Sequence, residues 1–148
     1  MSSPFMQIAL EEARLAEMRD EVPIGAVIVW EGEVIARSGN RTRERPDPTA
    51  HAEIEAIRMA SLHLSQERLN SADLYVTLEP CAMCAAAISF ARIRRLYFAA
   101  SDPKGGGVLH GTRFFNQKTC FHAPEIYDGI CESEASSLLK AFFAKKRR

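Results

Sequence analysis

The sequence predicts an α/β fold, a three-layer α/β/α sandwich built around a mixed five-stranded sheet. Segments with apolar residues at helical spacing alternate along the chain with short runs rich in β-branched residues. A strand, a helix and a second strand follow one another from Leu74 to Ala100 with short connections, which indicates a parallel pair joined by a right-handed crossover. We expect one domain over residues 1–148, because a chain of this length with 47% hydrophobic residues can bury one core.

The first half of the chain predicts a helix, a hairpin and a second helix. Apolar residues at helical spacing over residues 5–18 predict an amphipathic helix that ends before Pro23. The runs IGAVIVW and EVIARSG are predicted strands, and the Glu-Gly pair between them is typical of a tight turn. After a loop rich in Arg, Asp and Pro, a second helix is expected over about residues 50–64.

The second half predicts two further helices and three strands. DLYVTLE and RRLYFAAS are predicted strands, and CAMCAAAISFARI between them has the alanine-rich composition of a helix. Residues 102–130 show no clear period; we expect DPKGGG to be flexible and EIYDGI to be a short fifth strand. ESEASSLLKAFFAKK returns to helical spacing, with acidic residues at its start and cations at its end, as the helix dipole prefers.

Composition and charge exclude several classes of protein. The apolar runs are shorter than the roughly 18 residues of a membrane span, and the acidic, interrupted start does not fit a secretory signal, so we predict a cytoplasmic protein without a membrane partner. Basic and acidic residues number 19 each, so any contact with nucleic acid must come from local patches. RTRER, with Arg41, Arg43 and Arg45, is one such patch or a solvated loop, and the tail AKKRR is another or a frayed end.

Two cysteines with the spacing of a metal chelate follow the third predicted strand. Cys81 and Cys84 lie one helical turn apart, and the start of a helix favours the thiolate form. Because a cytosolic setting argues against disulfides, metal binding is the better interpretation. His51, also at a predicted helix start, supplies a third ligand of the kind that zinc prefers. Three protein ligands leave a position for a water, as in catalytic zinc sites.

Glu53, two residues after His51, is the predicted catalytic residue. At the head of a helix its carboxylate can reach a water on the metal without binding the metal, and can act first as general base and then as general acid. Two other interpretations stay open. One is a buried cysteine pair beside an ordinary surface His and Glu; the other is a closed structural zinc whose fourth ligand is Cys120 or His122.

These motifs carry a resemblance to a known family. HAE at 51–53 and PCAMC at 80–84 resemble the zinc-dependent, cytidine deaminase-like superfamily, whose signature is H-x-E followed by P-C-x-x-C. More narrowly, five blocks are similar to the bacterial tRNA-specific adenosine deaminase family, which converts the wobble adenosine of an arginine tRNA to inosine. They are VPIGAVIV, DPTAHAEI, LYVTLEPCAMC, RI and SDPKGG, between Val22 and Gly106.

The resemblance implies roles for further residues. His51, Cys81 and Cys84 would hold one Zn²⁺ per subunit, and Glu53 would move protons. Asn40 would hydrogen-bond the extruded base or its ribose. The other implied substrate-binding residues are Asp102 and Lys104 on the nucleotide side, and Phe143 on the last helix near the tRNA anticodon loop. Separately, the helical spacing of Phe142 and Phe143 predicts that at least one of the two is buried. A homodimer is also implied.

The resemblance weakens after Gly106. Many family members have a GS-L segment there, whereas this chain has GVLHGTRFFNQKTCFHAPE, so the shape of that side of the pocket does not transfer. Deaminases of free cytosine, guanine or a nucleoside share the zinc motifs and are the alternative activity. A non-catalytic, zinc-stabilised RNA-binding module is the alternative from another class, although such a site has no use for Glu53.

Overall fold

The computed structural model describes residues 3–146 and contains the predicted elements in the predicted order. They are α1 (Pro4–Met18), β1 (Gly25–Trp30), β2 (Glu33–Gly39), α2 (Ala52–Leu64), β3 (Ala72–Leu78), α3 (Ala82–Phe90), β4 (Arg95–Ala100), β5 (Glu125–Asp128) and α4 (Glu132–Lys146). One turn of 3₁₀ helix, Phe114–Asn116, interrupts the long connection between β4 and β5. No helix within residues 3–146 combines the length and apolarity needed to cross a bilayer.

The sheet is mixed, as predicted. Its strand order is β2-β1-β3-β4-β5. Strand β1 runs antiparallel to both β2 and β3, whereas β3, β4 and β5 are mutually parallel. The parallel half brings the carboxyl ends of β3 and β4 to one edge of the sheet, and loops at that edge are the usual place for a site in α/β proteins.

Helices cover both faces of the sheet, which confirms the three-layer arrangement. On one face, Met6 and Leu10 of α1 pack in a buried cluster with side chains from β1 and β3. On the other face, Ala56 of α2 and Ile88 of α3 pack in a second cluster with Leu74 of β3. Successive strand residues point to opposite faces, so each strand supplies both clusters.

Helix α1 lies very close to the start of β1. Ser3 caps the helix by accepting the Met6 N–H at 3.4 Å, and Pro4 occupies the first turn, where a missing N–H costs nothing. A Cβ added at Gly25 would overlap the Ala9 carbonyl oxygen. The glycine is therefore required by the close approach of the two backbones.

Helices α2 and α3 are shorter than the sequence predicts, and the difference positions the site. Helix α2 begins at Ala52, so His51 is its N-cap with extended backbone angles. Helix α3 begins at Ala82 with Cys81 as its N-cap, and it ends at Phe90 because Arg92 takes a positive φ of 62° and turns the chain towards β4. The predicted ligands His51 and Cys81 therefore each lie immediately before the first turn of a helix.

Candidate metal and catalytic site

The ends of β2 and β3 lead directly into the two helices that carry the predicted ligands. Strand β2 ends at Gly39 and a loop connects it to His51, whereas β3 ends at Leu78, three residues before Cys81. Neither His51 nor Cys81 uses its side chain to cap its helix, although both occupy the N-cap position. Their side chains are instead directed towards each other.

The structure brings His51, Cys81 and Cys84 together as one group of metal-binding atoms. The His51 Nδ1 lies 3.7 Å from the Cys81 sulfur and 3.5 Å from the Cys84 sulfur. A tetrahedral zinc with bonds of about 2.3 Å to sulfur and about 2.0–2.1 Å to nitrogen would separate such ligands by about 3.6 Å. The donor set and its spacing therefore fit a zinc ion. No other group of three such side chains is close enough to hold a metal within residues 3–146.

The electrostatics of the cluster favour the thiolate form of Cys81. Hydrogen bonds from Cys84 and His51 lower the pKa of the Cys81 thiol to about 4, and the bond to Cys81 raises the pKa of His51. Cys84 is buried beside this thiolate, which raises its pKa. A divalent cation would offset the repulsion between two neighbouring thiolates. It would thereby favour the thiolate form of Cys84 as well, which is the form that binds metal.

Glu53 is buried beside the cluster without joining it. Its exposed fraction is 4%, and its carboxyl interacts with the Cys84 side chain. Desolvation is the main cause that raises the pKa of Glu53 to about 7. Such a carboxyl can accept a proton and return it near neutral pH, which is the requirement for a residue that alternates between general base and general acid.

A cavity of about 220 Å³ opens onto these side chains. It is lined by His51, Glu53 and Cys81 together with Asp102 and Gly105. Its volume lies below the range of about 300–1,000 Å³ that is usual for drug-sized ligands, which suits a single nucleobase. The reacting group of a base in this cavity would meet Glu53 and the predicted metal ligands His51 and Cys81.

Asn40 lies at the same edge and is almost fully buried. Its Oδ1 accepts the Ala52 N–H at 3.0 Å. Arg19 donates to the Asn40 backbone carbonyl at 3.1 Å, and the exposed fraction of Asn40 is 5%. The amide thus supports the first turn of α2 whatever it contacts in a substrate.

The three other predicted substrate residues do not share one pocket. Asp102 lines both the catalytic cavity and a neighbouring apolar groove of about 380 Å³, and Phe143 lines the groove alone. Phe143 is 43% exposed, whereas Phe142 is buried, as expected for one of the pair. Lys104 is exposed on the loop after Asp102.

The two basic patches meet at one carboxylate. Arg43 and Lys146 both contact Asp20, Arg41 pairs with Glu44, and Arg45 pairs with Glu55. The distances are 2.6 Å for Arg43, 2.8 Å for Arg41 and 2.6 Å for Arg45. An RNA phosphate would have to compete with these carboxylates. The last two residues of the predicted tail patch, 147–148, lie outside the described residues.

The structural-zinc hypothesis with a fourth ligand from Cys120 or His122 is wrong. Cys120 lies 3.6 Å from the Ser89 hydroxyl, and His122 bonds the Ile93 carbonyl through Nε2 at 2.7 Å. Both contacts are at the C-terminal end of α3, whereas the metal-binding group is at its N-terminal end. The two side chains instead fasten the irregular segment before β5 to α3.

The expectation that DPKGGG is flexible is also wrong for most of its glycines. Gly106 and Gly107 are buried, and neither takes a positive φ. The Gly107 N–H donates to the Pro80 carbonyl at 2.8 Å, and a Cβ at Gly107 would lie 2.6 Å from the Ala82 nitrogen. These glycines are present because the loop packs against the start of α3.

Glu79 and His110 were not predicted from the sequence to belong to the site. The Glu79 carboxylate is fully buried and accepts hydrogen bonds from Asp102, the backbone of the next turn and the His110 ring. Burial opposes its charge, but these donors outweigh burial and keep the pKa of Glu79 below its usual value. An acidic residue between an apolar strand and a cysteine motif was the available signal.

Comparison with known proteins agrees with the fold and identifies the family of this chain. A family model described as MafB19-like deaminase matches residues 2–147. A tRNA-specific adenosine deaminase of Agrobacterium fabrum is 68% identical over 97% of this chain and 94% of its own length. The α/β/α fold with its His-x-Glu and Cys-x-x-Cys motifs thus defines a deaminase of the cytidine deaminase-like class. Within that class, the chain belongs to the tRNA-specific adenosine deaminase family.

Solved structures show the same relationship. One, from a study of A-to-I editing by tRNA:A34 deaminases at the wobble position of transfer RNA, has a TM-score of 0.90 and 70% identity and covers 91% of this chain and 98% of its own. A guanine deaminase of Bacillus subtilis has a TM-score of 0.66 and 30% identity, and covers 97% of this chain and 92% of its own. The fold is thus shared with enzymes that act on a free base.

Proposed function

We propose that this protein hydrolyses the wobble adenosine of an arginine tRNA anticodon to inosine, releasing ammonia. The observation that carries the proposal is the 68% identity, over nearly the whole chain, to a tRNA-specific adenosine deaminase. A buried Glu53 beside a metal-binding group, at the base of a cavity sized for one base, supports the same chemistry. The catalytic unit is one domain over residues 1–148 and works in the cytoplasm, where its tRNA substrate is found.

One Zn²⁺ per subunit, held by His51, Cys81 and Cys84, is the cofactor of this proposal. The fit of the donor spacing to tetrahedral zinc supports it. Bound there, zinc would supply an acidified water as nucleophile near neutral pH. Glu53, which is close enough to interact with Cys84, would take up the two protons of the attacking water in turn, delivering the first to a ring nitrogen of the purine and the second to the departing amine.

The remaining substrate residues hold the nucleotide in place. Asn40 keeps an amide N–H₂ group for the base or ribose while its oxygen is bonded to Ala52. Asp102 lies between the catalytic cavity and the groove that contains Phe143, so it separates the reacting base from its neighbour in the loop. Lys104 is free to meet the phosphate backbone from the surface. The reacting base must leave its stack, which costs least in a single-stranded loop.

The enzyme is a homodimer in this proposal. Helices α2 and α3 expose large apolar side chains, including Leu62 at 82% and Phe90 at 71%, and a groove between the helices is lined by Ile57 and Phe90. Exposed apolar surface of this kind is typical of an interface between subunits. Sedimentation should show a dimer for the wild type and a monomer for Phe90→Glu; a wild-type monomer at micromolar concentration would contradict the proposal.

Incubation with an anticodon stem-loop tests the activity directly. The zinc-loaded protein is given a stem-loop with a wobble adenosine, the same stem-loop with a wobble cytidine, and free guanine, cytosine and adenosine. We expect inosine only at the wobble position of the first RNA, with one ammonia released for each inosine. Turnover of free bases without RNA editing would contradict the proposal.

Deamination of free guanine is the second candidate, and the 30% identity to a guanine deaminase favours it. In that case guanine would be the substrate that releases ammonia in the same assay. A non-catalytic RNA-binding module is disfavoured, because a structural metal site gives no reason to bury the Glu53 carboxyl beside its ligands.

A further inference from the structure

We propose that Glu79 is a positioning residue for substrate: its carboxylate fixes the loop formed by residues 102–110, here called the substrate loop, against the catalytic cavity. The inference rests on the proposed function for its substrate, but its structural content does not depend on which base is deaminated. Glu79 directly follows β3 and precedes Cys81 by two residues, so one short segment supplies a metal ligand and the support of the opposite wall.

Both carboxylate oxygens of Glu79 accept hydrogen bonds from the substrate loop. The Oε1 atom accepts the Asp102 N–H at 3.0 Å and the His110 ring at Nδ1 at 2.8 Å. The Oε2 atom accepts three consecutive backbone N–H groups, from Val108 at 3.2 Å, Leu109 at 2.9 Å and His110 at 3.1 Å. The first and last residues of the loop are therefore held by one oxygen atom.

The burial of Glu79 makes these five bonds necessary. Its side chain is fully inaccessible to solvent. Burying a carboxylate without hydrogen-bond partners would cost several kcal/mol. Release of the substrate loop, which supplies the donors, would carry that cost, so the loop is held in place. All five donors come from the substrate loop. The Glu79 carboxylate therefore keeps these hydrogen bonds only while the loop stays packed against it.

The loop that Glu79 holds forms the substrate side of the cavity. Asp102 and Gly105 line the same cavity as His51 and Glu53. Asp102 in turn accepts the N–H groups of Lys104 at 3.2 Å and Gly105 at 2.9 Å, so its own carboxylate shapes the tip of the loop. A change at Glu79 should therefore move Asp102 and Gly105 in the cavity wall, and zinc content then shows whether the start of α3 has moved with them.

Gly106 provides an independent route to the same contact. A Cβ added there would overlap the Glu79 carboxylate and also lie 2.6 Å from the Asp102 carbonyl oxygen. The residue is buried and needs no positive φ, so the restriction is one of space. Gly106→Ala should displace Glu79 from the loop side and produce the same defect as a change in Glu79 itself.

Kinetics of Glu79→Gln test the inference. The substitution keeps the size of the side chain but puts an N–H₂ donor against N–H groups that need acceptors. We expect kcat/KM for the stem-loop to fall about 10- to 100-fold, mainly through KM, because the loop contacts substrate and not the reacting atoms. Zinc content should stay at one per chain. An unchanged KM, or a loss of zinc in proportion to the loss of activity, would overturn the proposal.

Matched variants separate positioning from general damage. Asp73→Asn removes a buried carboxylate at the other end of β3, where Asp73 pairs with Arg94, and should leave KM within about twofold. Gly106→Ala should reproduce the Glu79→Gln defect, and His110→Ala should give a smaller one because four of the five bonds remain. A Gly106→Ala enzyme with wild-type KM would count against the role assigned to the loop.

Amide hydrogen exchange distinguishes failure of this inference from failure of the proposed function. Glu79→Gln should speed exchange at the Val108 and Leu109 amides, whose N–H groups point at the carboxylate, and should leave β1 unchanged. Wild-type protein that does not edit the stem-loop would refute the function alone. Unchanged exchange in the substrate loop of Glu79→Gln would refute the positioning role whatever the substrate is.

Discussion

The Oδ1 of Asn40 accepts at 3.0 Å the N–H of Ala52, the residue between the proposed metal ligand His51 and the buried Glu53 in the sequence. Ala52 is the first residue of α2, so its N–H has no partner within the helix. One amide after β2 thus fixes the helix start next to which the proposed metal ligand and the proposed catalytic carboxyl both lie. The same amide is proposed to bind substrate, so its two roles must be separated by experiment.

Two substitutions at Asn40 separate these roles. Asn40→Ala leaves the Ala52 N–H unsatisfied and should lower the free energy of unfolding by about 1–3 kcal/mol as well as activity. Asn40→Asp keeps an acceptor at the head of the helix, where negative charge is favoured, but removes the N–H₂ donor. Its stability should stay close to that of the wild type while kcat/KM falls. Chemical denaturation and stem-loop kinetics check both, and full activity of Asn40→Asp would exclude a donor role.

Glu53→Gln should abolish turnover and leave the metal bound. The amide fills the same buried space but cannot accept and return a proton, so we expect kcat to fall by about 10³-fold or more. Glu55→Gln is the matched control: it is a buried carboxyl on the same helix, but it pairs with Arg45 and Arg58 instead of facing the metal-binding group. Metal analysis accompanies both variants. Substantial turnover by zinc-loaded Glu53→Gln would remove Glu53 from the mechanism.

Loss of one ligand should remove both the metal and the stability that it provides. Cys84→Ala takes away a buried sulfur 3.5 Å from His51 Nδ1. Cys120→Ala is the control, because Cys120 contacts Ser89 at the other end of α3. Metal analysis should find about one zinc per chain in the control and little in Cys84→Ala. The unfolding temperature of the wild type should fall when a chelator is added, because zinc that binds only the native state stabilises that state. A zinc content unaffected by Cys84→Ala would contradict the assigned ligands.

The sequence predicted the elements and the Cys81–Cys84 pair because both depend on local spacing, whereas His51 was predicted from its residue type and its position at a helix start. The Cys81–Cys84 pair lies within one helical turn, and the residues on either side of it mark a strand and a helix. The support of the substrate loop could not be read in this way, since Glu79 reaches partners up to 31 residues away through backbone N–H groups that any residue supplies. The consecutive glycines suggested flexibility because the sequence shows only that a Cβ is missing. It does not show that atoms distant in the sequence pack where the Cβ would lie.

The adjacent aromatic residues near the end of α4 should behave in opposite ways. Phe142 is 6% exposed, so Phe142→Ala should lower the free energy of unfolding by about 3 kcal/mol. Phe143 is 43% exposed on the groove beside the cavity, so Phe143→Ala should cost about 1 kcal/mol or less but raise KM for the stem-loop. Denaturation and kinetics of both variants check this. Equal KM for Phe143→Ala and wild type would exclude stacking of a flanking base on that ring.

Lys104 should contribute to RNA binding through charge alone. It is exposed on the loop whose residues line the catalytic cavity, and its side chain has no hydrogen bond or ion pair among the described residues. If it meets one phosphate, Lys104→Ala should weaken stem-loop binding and reduce the slope of log K against log salt by about 0.7, the value for one single-strand contact. Lys118→Ala, also exposed but beside the segment that packs on the far end of α3, should leave the slope unchanged. Binding titrations of the zinc-loaded variants over a range of salt concentrations make the comparison, and equal slopes for Lys104→Ala and wild type would show that this lysine does not contact a phosphate.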